Sequence, residues 1–190
     1  MSRQWFLLLV TLFILPAASH AREIAGVNMP EHMFLHGDKT QLHLNGAGIR
    51  TKFIFKIYVG GLYLPGRASS TSEVLSIPGP KRVRMHFLYD EVSKEKLIKG
   101  WQEGFENNLD ADAYRKLAAR LQQFNALFND VHKGDEIDLD FLPGQGTQVW
   151  LNNKLQGRIE GEDFYKALLT VWLGKEPADD DLKQAMLGLE

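Results

Sequence analysis

The stretch that decides the fold is "NGAGIRTKFIFKIYVGGLYLPG", residues 45–66. Two glycines separated by one residue are followed by Arg50, and then aromatic and β-branched residues alternate with two lysines. A dinucleotide-binding loop needs a third glycine and a helix whose N-terminus meets the phosphates, and this sequence supplies neither. The alternation instead predicts a strand over Ile49–Val59, with Gly60-Gly61 separating it from a second strand over Leu62–Leu64.

The predicted strand Ile49–Val59 has two faces, because successive side chains of a strand point to opposite sides. One face is apolar and is expected to lie on the core: Thr51, Phe53, Phe55, Ile57 and Val59. The other face carries Arg50, Lys52, Ile54, Lys56 and Tyr58. This second face is either a solvated face with aliphatic stems lying on the sheet, or the wall of a cleft. An arginine in a cleft must find an anion or another acceptor, since its guanidinium keeps its proton.

The sequence around this stretch predicts strands in both halves of the chain, with helices between them and at the end. Strands are expected on either side of Gly37-Asp38, over residues 82–89, and in "EIDLDF", "TQVWL" and "LQGRI", the last two joined by a turn at "NNK". Helical turns are expected at 70–77 and helices from Ser93, from Asp110 or Asp112, over 164–173 and after Pro177. This segregated order predicts an α+β fold in which helices cover one face of an antiparallel sheet.

The polar side chains of two of these strands are expected to face solvent. In residues 82–89 they are Arg82, Arg84 and His86, and in "EIDLDF" they include Asp138 and Asp140. The tryptophans Trp101, Trp150 and Trp172 have apolar neighbours, which predicts core positions or the lining of a pocket.

Residues 1–21 have the pattern of a secretory signal peptide. Arg3 precedes an apolar segment over Trp5–Leu15, and Ser19 and Ala21 occupy the small-residue positions of a cleavage site. The apolar segment is shorter than the roughly 20 residues that a membrane-spanning helix needs. We therefore expect a single domain over residues 22–190, periplasmic or secreted after cleavage following Ala21, without a membrane span.

Composition excludes several classes of chemistry. The chain has no cysteine, so disulfides, thiolate metal sites and cysteine nucleophiles are excluded. The net charge is −2, and loss of Arg3 with the signal peptide makes it one unit more negative; with no basic tract, nucleic acid is not an expected partner. Neither G-x-S-x-G nor H-E-x-x-H occurs. His32 and His36 lack a nearby carboxylate, so no metal site and no cofactor are predicted.

The chain resembles the chalcone isomerase family, in particular its bacterial chalcone isomerase-like branch with a signal peptide. "NGAGIR" and "FKIYVGGLYL" match a family pattern of G-x-G-x-R followed by a strand that ends in G-x-Y-L, and "FYKALLTVWLGKEPADDDLKQAML" resembles the family's C-terminal pair of helices. The resemblance implies an open-faced β-sandwich: a large antiparallel sheet, a helical layer over one face and a ligand cleft between them.

The same resemblance implies site residues. In the plant enzymes, which close a hydroxychalcone into a flavanone, the family arginine stabilises an anionic oxygen; in the fatty-acid-binding branch it holds a carboxylate together with a nearby tyrosine. By position these ligand-binding residues are Arg50 and Tyr58. The enzymes' ketone-positioning tyrosine and asparagine fall on Leu97 and Gly104, and neither can polarise a ketone, so no catalytic residue is predicted.

Three functions remain as alternatives. The leading one is an exported, non-catalytic protein that binds an amphipathic anion such as a fatty acid. The second is an active isomerase of the intramolecular lyase type on a polyphenol-like substrate, and the third is an envelope interaction module whose cleft is filled. Eight residues of straight strand span about 26 Å, so Arg50 and Tyr58 can share a carboxylate only across a bend or bulge; otherwise Lys52 or Lys56 is the partner.

Overall fold

The computed structural model describes residues 21–35 and 37–189. The predicted signal peptide, residues 1–21, lies outside this range except for its last residue. The strands are β1 Ala21–Ile24, β2 Val27–Pro30, β3 His32–Phe34, β4 Gln41–Lys52, β5 Phe55–Leu64, β6 Lys81–Phe87, β7 Glu91–Val92, β8 Val131–His132, β9 Glu136–Leu142, β10 Gly146–Leu151 and β11 Lys154–Ile159. The helices are α1 Thr71–Ser76, α2 Lys94–Asn108, α3 Ala111–Asn125, α4 Glu162–Leu173 and α5 Asp180–Met186.

A seven-stranded antiparallel sheet forms the centre of the fold, in the strand order β11-β10-β9-β6-β5-β4-β3. The main core joins the apolar residues of β5, β6, β9 and β10 to those of α2, α3, α4 and α5. The helices therefore cover one face of the sheet, and the predicted α+β architecture is confirmed. The pairs β1–β2 and β7–β8 form two small additional sheets.

Three helices begin at the capping residues that the sequence contains. The hydroxyl of Ser93 accepts a hydrogen bond from a backbone amide in the first turn of α2, and the carboxylates of Asp110 and Asp179 do the same for α3 and α5. Such side chains satisfy amide groups that have no partner within the helix. Helix α4 is buried almost all round, which agrees with its nearly continuous apolar sequence.

The predicted strand Ile49–Val59 is wrong, because the chain turns back in the middle of it. Phe53 and Ile54 form a two-residue loop between β4 and β5, and Lys52 pairs with Phe55 across it. Phe53 and Ile54 are 89% and 86% exposed and Phe55 is 48% exposed. The apolar face that was predicted to lie on the core therefore does not extend to the tip of the β4–β5 hairpin. The predicted break at Gly60-Gly61 is also wrong, since both glycines lie inside β5.

Helix α5 lies directly on β4, and the glycines of "NGAGIR" make this contact possible. A Cβ atom on Gly46 would overlap the carbonyl oxygen of Ala185, and one on Gly48 would lie 2.6 Å from the Ala185 Cβ. The amide of Asn45 donates to the carbonyls of Ala68 and Met186, at 2.8 Å each. The glycines thus hold a helix against a strand, which explains the motif without a phosphate ligand.

The face of the sheet opposite the helices carries a ladder of ion pairs across β6 and β9. Arg82 Nε donates to Asp140 at 2.6 Å and Arg84 Nη2 to Asp138 at 2.7 Å, while His86 Nδ1 lies 3.0 Å from a Glu136 oxygen.

The prediction that these side chains are solvated is wrong for Arg82, Asp138 and Asp140, whereas Arg84 and His86 are partly buried. Arg82 and Asp138 are each 3% exposed and Asp140 is fully buried, and Arg82 also contacts the sulfur of Met33 in β3. On the same face a second, smaller core joins Val27 and Met29 of β2 to Tyr63 of β5. The N-terminal segments therefore cover a face that alternation alone predicted to be exposed.

Candidate functional site

The β4–β5 hairpin brings together the two site residues that the sequence predicted. Arg50 and Tyr58 are directly opposite each other across the strand pair, so the distance along a straight strand does not separate them. The register shifts between Arg50 and Thr51, which leaves Ile57 as an extra residue in β5. Because such a bulge reverses the alternation of side chains, the adjacent residues Ile57 and Tyr58 both line one cleft.

Arg50 lies in this cleft without a partner for its charge. Its side chain is partly buried, and its Nε atom is buried without a hydrogen-bond acceptor. Its guanidinium carbon lies 5.7 Å from the centre of the Tyr58 ring, a distance at which a cation is attracted to an aromatic face. Among residues 21–35 and 37–189 no carboxylate forms an ion pair with it. Arg50 is therefore a fixed positive charge with free hydrogen-bond donors.

Tyr58 is held in place from the helical layer. The indole Nε1 of Trp172 in α4 donates a hydrogen bond to the Tyr58 hydroxyl oxygen at 2.8 Å. Burial raises the pKa of the Tyr58 hydroxyl, and the charge of Arg50 opposes part of this rise. The hydroxyl therefore keeps its proton at neutral pH. Since its oxygen already accepts from Trp172, its own O–H is the group that remains to donate.

The cleft has a volume of about 350 Å³ and lies between the β4–β5 hairpin, strand β6 and helix α2. Its inner wall is largely aromatic and aliphatic, consisting of Phe55, Ile57, Tyr58, Met85, Phe87, Tyr89, Val92, Leu97, Trp101 and Val171. The space beside Arg50 is open, in contrast to the filled cleft of the third alternative. An apolar cavity with few polar groups is the usual form of a small-molecule site.

Helix α2 supplies the wall opposite Arg50. Leu97 lines the cleft, as its position in the family pattern implies, whereas Gly104 does not. Gly104 is where α2 approaches α4: a Cβ there would lie 2.7 Å from a methyl group of Val171. Trp101 also lines the cleft, is 3% exposed, and has an indole Nε1 without a hydrogen-bond partner.

His32 and Trp150 do not line the cleft. His32 packs edge-on against His43 with ring centroids 4.9 Å apart, and His36 lies outside the described residues. Within the described part of the chain, no group of three or more histidine and acidic side chains is placed to hold a metal ion. Trp172 is buried as expected, whereas Trp150 is only partly buried and lies opposite Asp138 on the ladder face.

The sequence analysis named Lys52 as a possible part of the cleft wall but missed the rest of its rim. Lys52 and Phe53 line the cleft from the hairpin, and Lys96, Lys99 and Glu103 line it from the outer side of α2. The hairpin turn that places Lys52 and Phe53 there contains no glycine, proline, asparagine or aspartate, so no turn signal marked it. In the described ranges, no helix has both the length and the apolar character needed to cross a bilayer.

Comparison with known proteins agrees with the fold and its motifs. A family model described as "Chalcone isomerase-like" matches residues 21–188. Among solved structures, the chain is similar to a fatty-acid binding protein of Arabidopsis thaliana, AtFAP1, with 17% identity and a TM-score of 0.64 over 85% of this chain and 92% of that one. At this identity the similarity is one of fold. A search of curated proteins finds no match.

Proposed function

The chain belongs to the chalcone isomerase-like family, and from this premise we propose that it binds a fatty acid or a similar amphipathic acid in the cleft, without converting it. The carboxylate lies against Arg50 and receives a second hydrogen bond from Tyr58. The alkyl chain lies along the aromatic and aliphatic wall. In this proposal the polar part of the cavity binds the acidic end of the ligand, and the apolar part binds its alkyl chain.

The observation that carries the proposal is the unpartnered guanidinium of Arg50. A buried or partly buried charge is costly unless it is paired, and the other buried or partly buried arginines of the described residues, Arg82, Arg84 and Arg120, each have a carboxylate partner. Arg50 faces a cavity instead. An anionic group of a ligand would complete the pairing that the protein itself leaves open.

Two further features support a fatty acid as the ligand class. The inner wall of the cleft is largely aromatic and aliphatic, and its polar groups include Arg50, the Tyr58 hydroxyl and the indole Nε1 of Trp101. Such a lining suits an alkyl chain that ends in one acidic group. The similar structure from Arabidopsis thaliana is described as a fatty-acid binding protein. The cleft is also close to the lower limit of about 300 Å³ for ligand pockets, so a long chain should extend towards the rim.

The central test replaces Arg50 by Lys and compares a long-chain acid with the matching alcohol. A charge-assisted, bidentate pair contributes roughly 1.5–3 kcal/mol, and lysine cannot form the two parallel bonds of a guanidinium. We expect hexadecanoic acid to bind about tenfold more weakly to Arg50→Lys, with little change for hexadecanol, as measured by calorimetry.

The matched control is Arg158→Lys, since Arg158 is an exposed arginine of β11 at the far edge of the sheet. It should bind both ligands as the unmodified protein does. Arg50→Gln should lose affinity for the acid but little stability. A large loss of stability with no difference between acid and alcohol would instead make Arg50 a purely structural residue.

A chain-length series tests the apolar wall separately. Each enclosed methylene should add about 0.8 kcal/mol to binding, and the gain should level off once added methylenes extend beyond the wall. Affinity that is independent of chain length would contradict the placement of the alkyl chain in the cleft.

Absence of catalysis is part of the proposal and has its own assay. Leu97 offers no hydrogen bond to a developing enolate, and stabilising such a charge is usually the largest contribution to this kind of reaction. We expect hydroxychalcone cyclisation at the spontaneous rate. Acceleration that disappears in Arg50→Ala would establish the isomerase alternative.

Export also stands as a proposal. The pattern of residues 1–21 suggests cleavage after Ala21, so N-terminal sequencing of the protein recovered from the periplasm or medium should begin at Arg22. Recovery only as a chain that begins at Met1 would contradict export with cleavage.

A further inference from the structure

The β4–β5 hairpin exposes three consecutive apolar side chains at its tip. Phe53, Ile54 and Phe55 are 89%, 86% and 48% exposed. Lys52 and Lys56, also exposed, flank them on both sides. We refer to residues 52–56 as the hairpin tip. Single exposed apolar residues are common, but a contiguous group projecting from a turn indicates a surface that something else covers.

Folding does not account for the composition of the hairpin tip. Phe53 and Ile54 belong to neither of the two cores. Phe53 has a φ of 56°, a backbone conformation that a bulky side chain adopts only at a cost. A glycine or asparagine would suit this turn better. The apolar residues are therefore unfavourable for the turn and unused by the core.

Positive charge surrounds the hairpin tip at the mouth of the cleft. The cationic lining residues are Arg50, Lys52, Lys96 and Lys99, and the acidic ones are Glu91 and Glu103. Glu103 lies 3.6 Å from Lys99 and so is already paired. Asp179 is a third acid beside the hairpin, since its carboxylate accepts a hydrogen bond from the backbone amide of Thr51. With Lys56 added, the mouth still carries an excess of positive charge, although the whole chain has a net charge of −2. This local charge complements an anionic surface.

We propose that the hairpin tip docks on a bilayer surface that contains anionic phospholipid. Phe53 and Ile54 enter the boundary between headgroups and acyl chains, with the half-exposed Phe55 behind them on the wall of the cleft. Lys52 and Lys56 contact the headgroup phosphates through their extended side chains. The mouth of the cleft then faces the bilayer. This docking needs no ligand in the cleft, so it stands independently of the proposed fatty-acid binding.

A second copy of the chain fits this surface less well than a bilayer does. Two copies related by a twofold axis present the same patch to each other, so contact between two tips brings Lys52 and Lys56 of one copy towards those of the other. Like charges at close range oppose such a contact. The phosphates of a lipid surface pair with the same lysines.

Position-specific fluorescence gives the most direct test, because the chain has no cysteine. An environment-sensitive fluorophore on Ile54→Cys should shift its emission to the blue when phosphatidylcholine vesicles containing phosphatidylglycerol are added. The control is Leu155→Cys, an exposed apolar position of β11 at the opposite edge of the sheet, whose label should not respond. Equal responses at both positions, or none at position 54, would overturn the proposal.

Vesicle sedimentation separates the contribution of the apolar side chains to lipid binding from that of the lysines. Phe53→Ser with Ile54→Ser should lower the partition coefficient on phosphatidylglycerol vesicles at least about tenfold, whereas Leu155→Ser should not change it. Lys52→Gln with Lys56→Gln should weaken binding and reduce its salt dependence. Equal binding to phosphatidylcholine alone would overturn the requirement for anionic lipid. A dimer in analytical ultracentrifugation that the serine variant dissociates, without vesicle binding, would overturn docking in favour of self-association.

Discussion

Two hairpins of the central sheet, β4–β5 and β10–β11, have two-residue loops but differ in the residues that form them. Between β10 and β11 the loop is Asn152-Asn153, with φ values of 48° and 62°. Between β4 and β5 it is Phe53-Ile54, and only Phe53 has a positive φ. Asparagine tolerates the left-handed conformation that such loops require, whereas phenylalanine does not.

The contacts of the two tips explain the difference. The side chain of Asn152 accepts a hydrogen bond from the amide of Glu136 and donates one to Asp135, at 2.8 Å each, so that tip is tied to the neighbouring strand. Phe53 instead lines the mouth of the cleft. The residues of the β10–β11 tip favour its turn, whereas Phe53 in the β4–β5 tip is unfavourable for its turn. The β4–β5 tip is the one that lies beside Arg50.

The largest expected effect comes from moving the unfavourable tip to the other hairpin. Asn152→Phe with Asn153→Ile places two bulky residues at positive φ and removes the bonds to Asp135 and Glu136. At roughly 1–2 kcal/mol per residue, the free energy of unfolding should fall by about 2–4 kcal/mol, as measured by urea denaturation. Ligand affinity per folded molecule should not change. A loss below about 0.5 kcal/mol would mean that the residues of the turn do not cause a difference in stability between the two hairpins.

Glycine substitutions compare how tightly each hairpin is packed. Gly46→Ala in β4 meets the backbone carbonyl of Ala185, which cannot rotate away, so we expect a loss of about 1–3 kcal/mol. Gly157→Ala in β11 meets the end of the Leu127 side chain at 2.5 Å, which can adopt another rotamer. Its cost should be smaller by half or more in the same denaturation assay. Equal losses of stability in the two variants would show that the backbone of α5 shifts as easily as the Leu127 side chain changes its rotamer.

The smallest expected effect has the opposite sign. Phe53→Gly with Ile54→Asn gives β4–β5 the glycine-first sequence that suits a two-residue turn in which only the first central residue has a positive φ, and should raise the free energy of unfolding by about 0.5–1 kcal/mol. Vesicle binding should fall at the same time. A variant that is more stable and still binds vesicles fully would separate the apolar tip from docking, and one that is less stable would show that Phe53 and Ile54 contribute to folding after all.

The same contrast explains how far the fold could be predicted from the sequence. The Asn152-Asn153 turn, the helix start at Ser93 and the helical end of the chain were predicted correctly, because each carries a local signal. The start of α3 at Asp110 is one of the two that were predicted, the other being Asp112. The Phe53-Ile54 turn has none, so β4 and β5 merged into one predicted strand and Arg50 appeared far from Tyr58. Burial of the ladder residues depends on distant segments that cover them, which no local pattern contains.

Part of the candidate site was therefore predictable and part was not. The resemblance pointed to Arg50 and Tyr58, and the structure places them opposite each other. The bulge at Ile57, the hydrogen bond from Trp172 and the cationic rim arise only from tertiary geometry. Gly104, assigned by position to a ligand-facing site, instead serves the packing of α2 on α4.

The ion-pair ladder has a consequence for how strands β6 and β9 find each other. Alternation protects against a shift of one residue, since that would turn the apolar side chains outward, but a shift of two residues keeps every side chain on its original face. In one direction such a shift puts Arg82 opposite Leu142, and in the other it puts Pro80 opposite Asp140. Leaving a buried charge uncompensated costs about 3–5 kcal/mol. The ladder thus fixes the alignment of β6 and β9, because it disfavours the two-residue shifts that would leave the apolar side chains on the correct face.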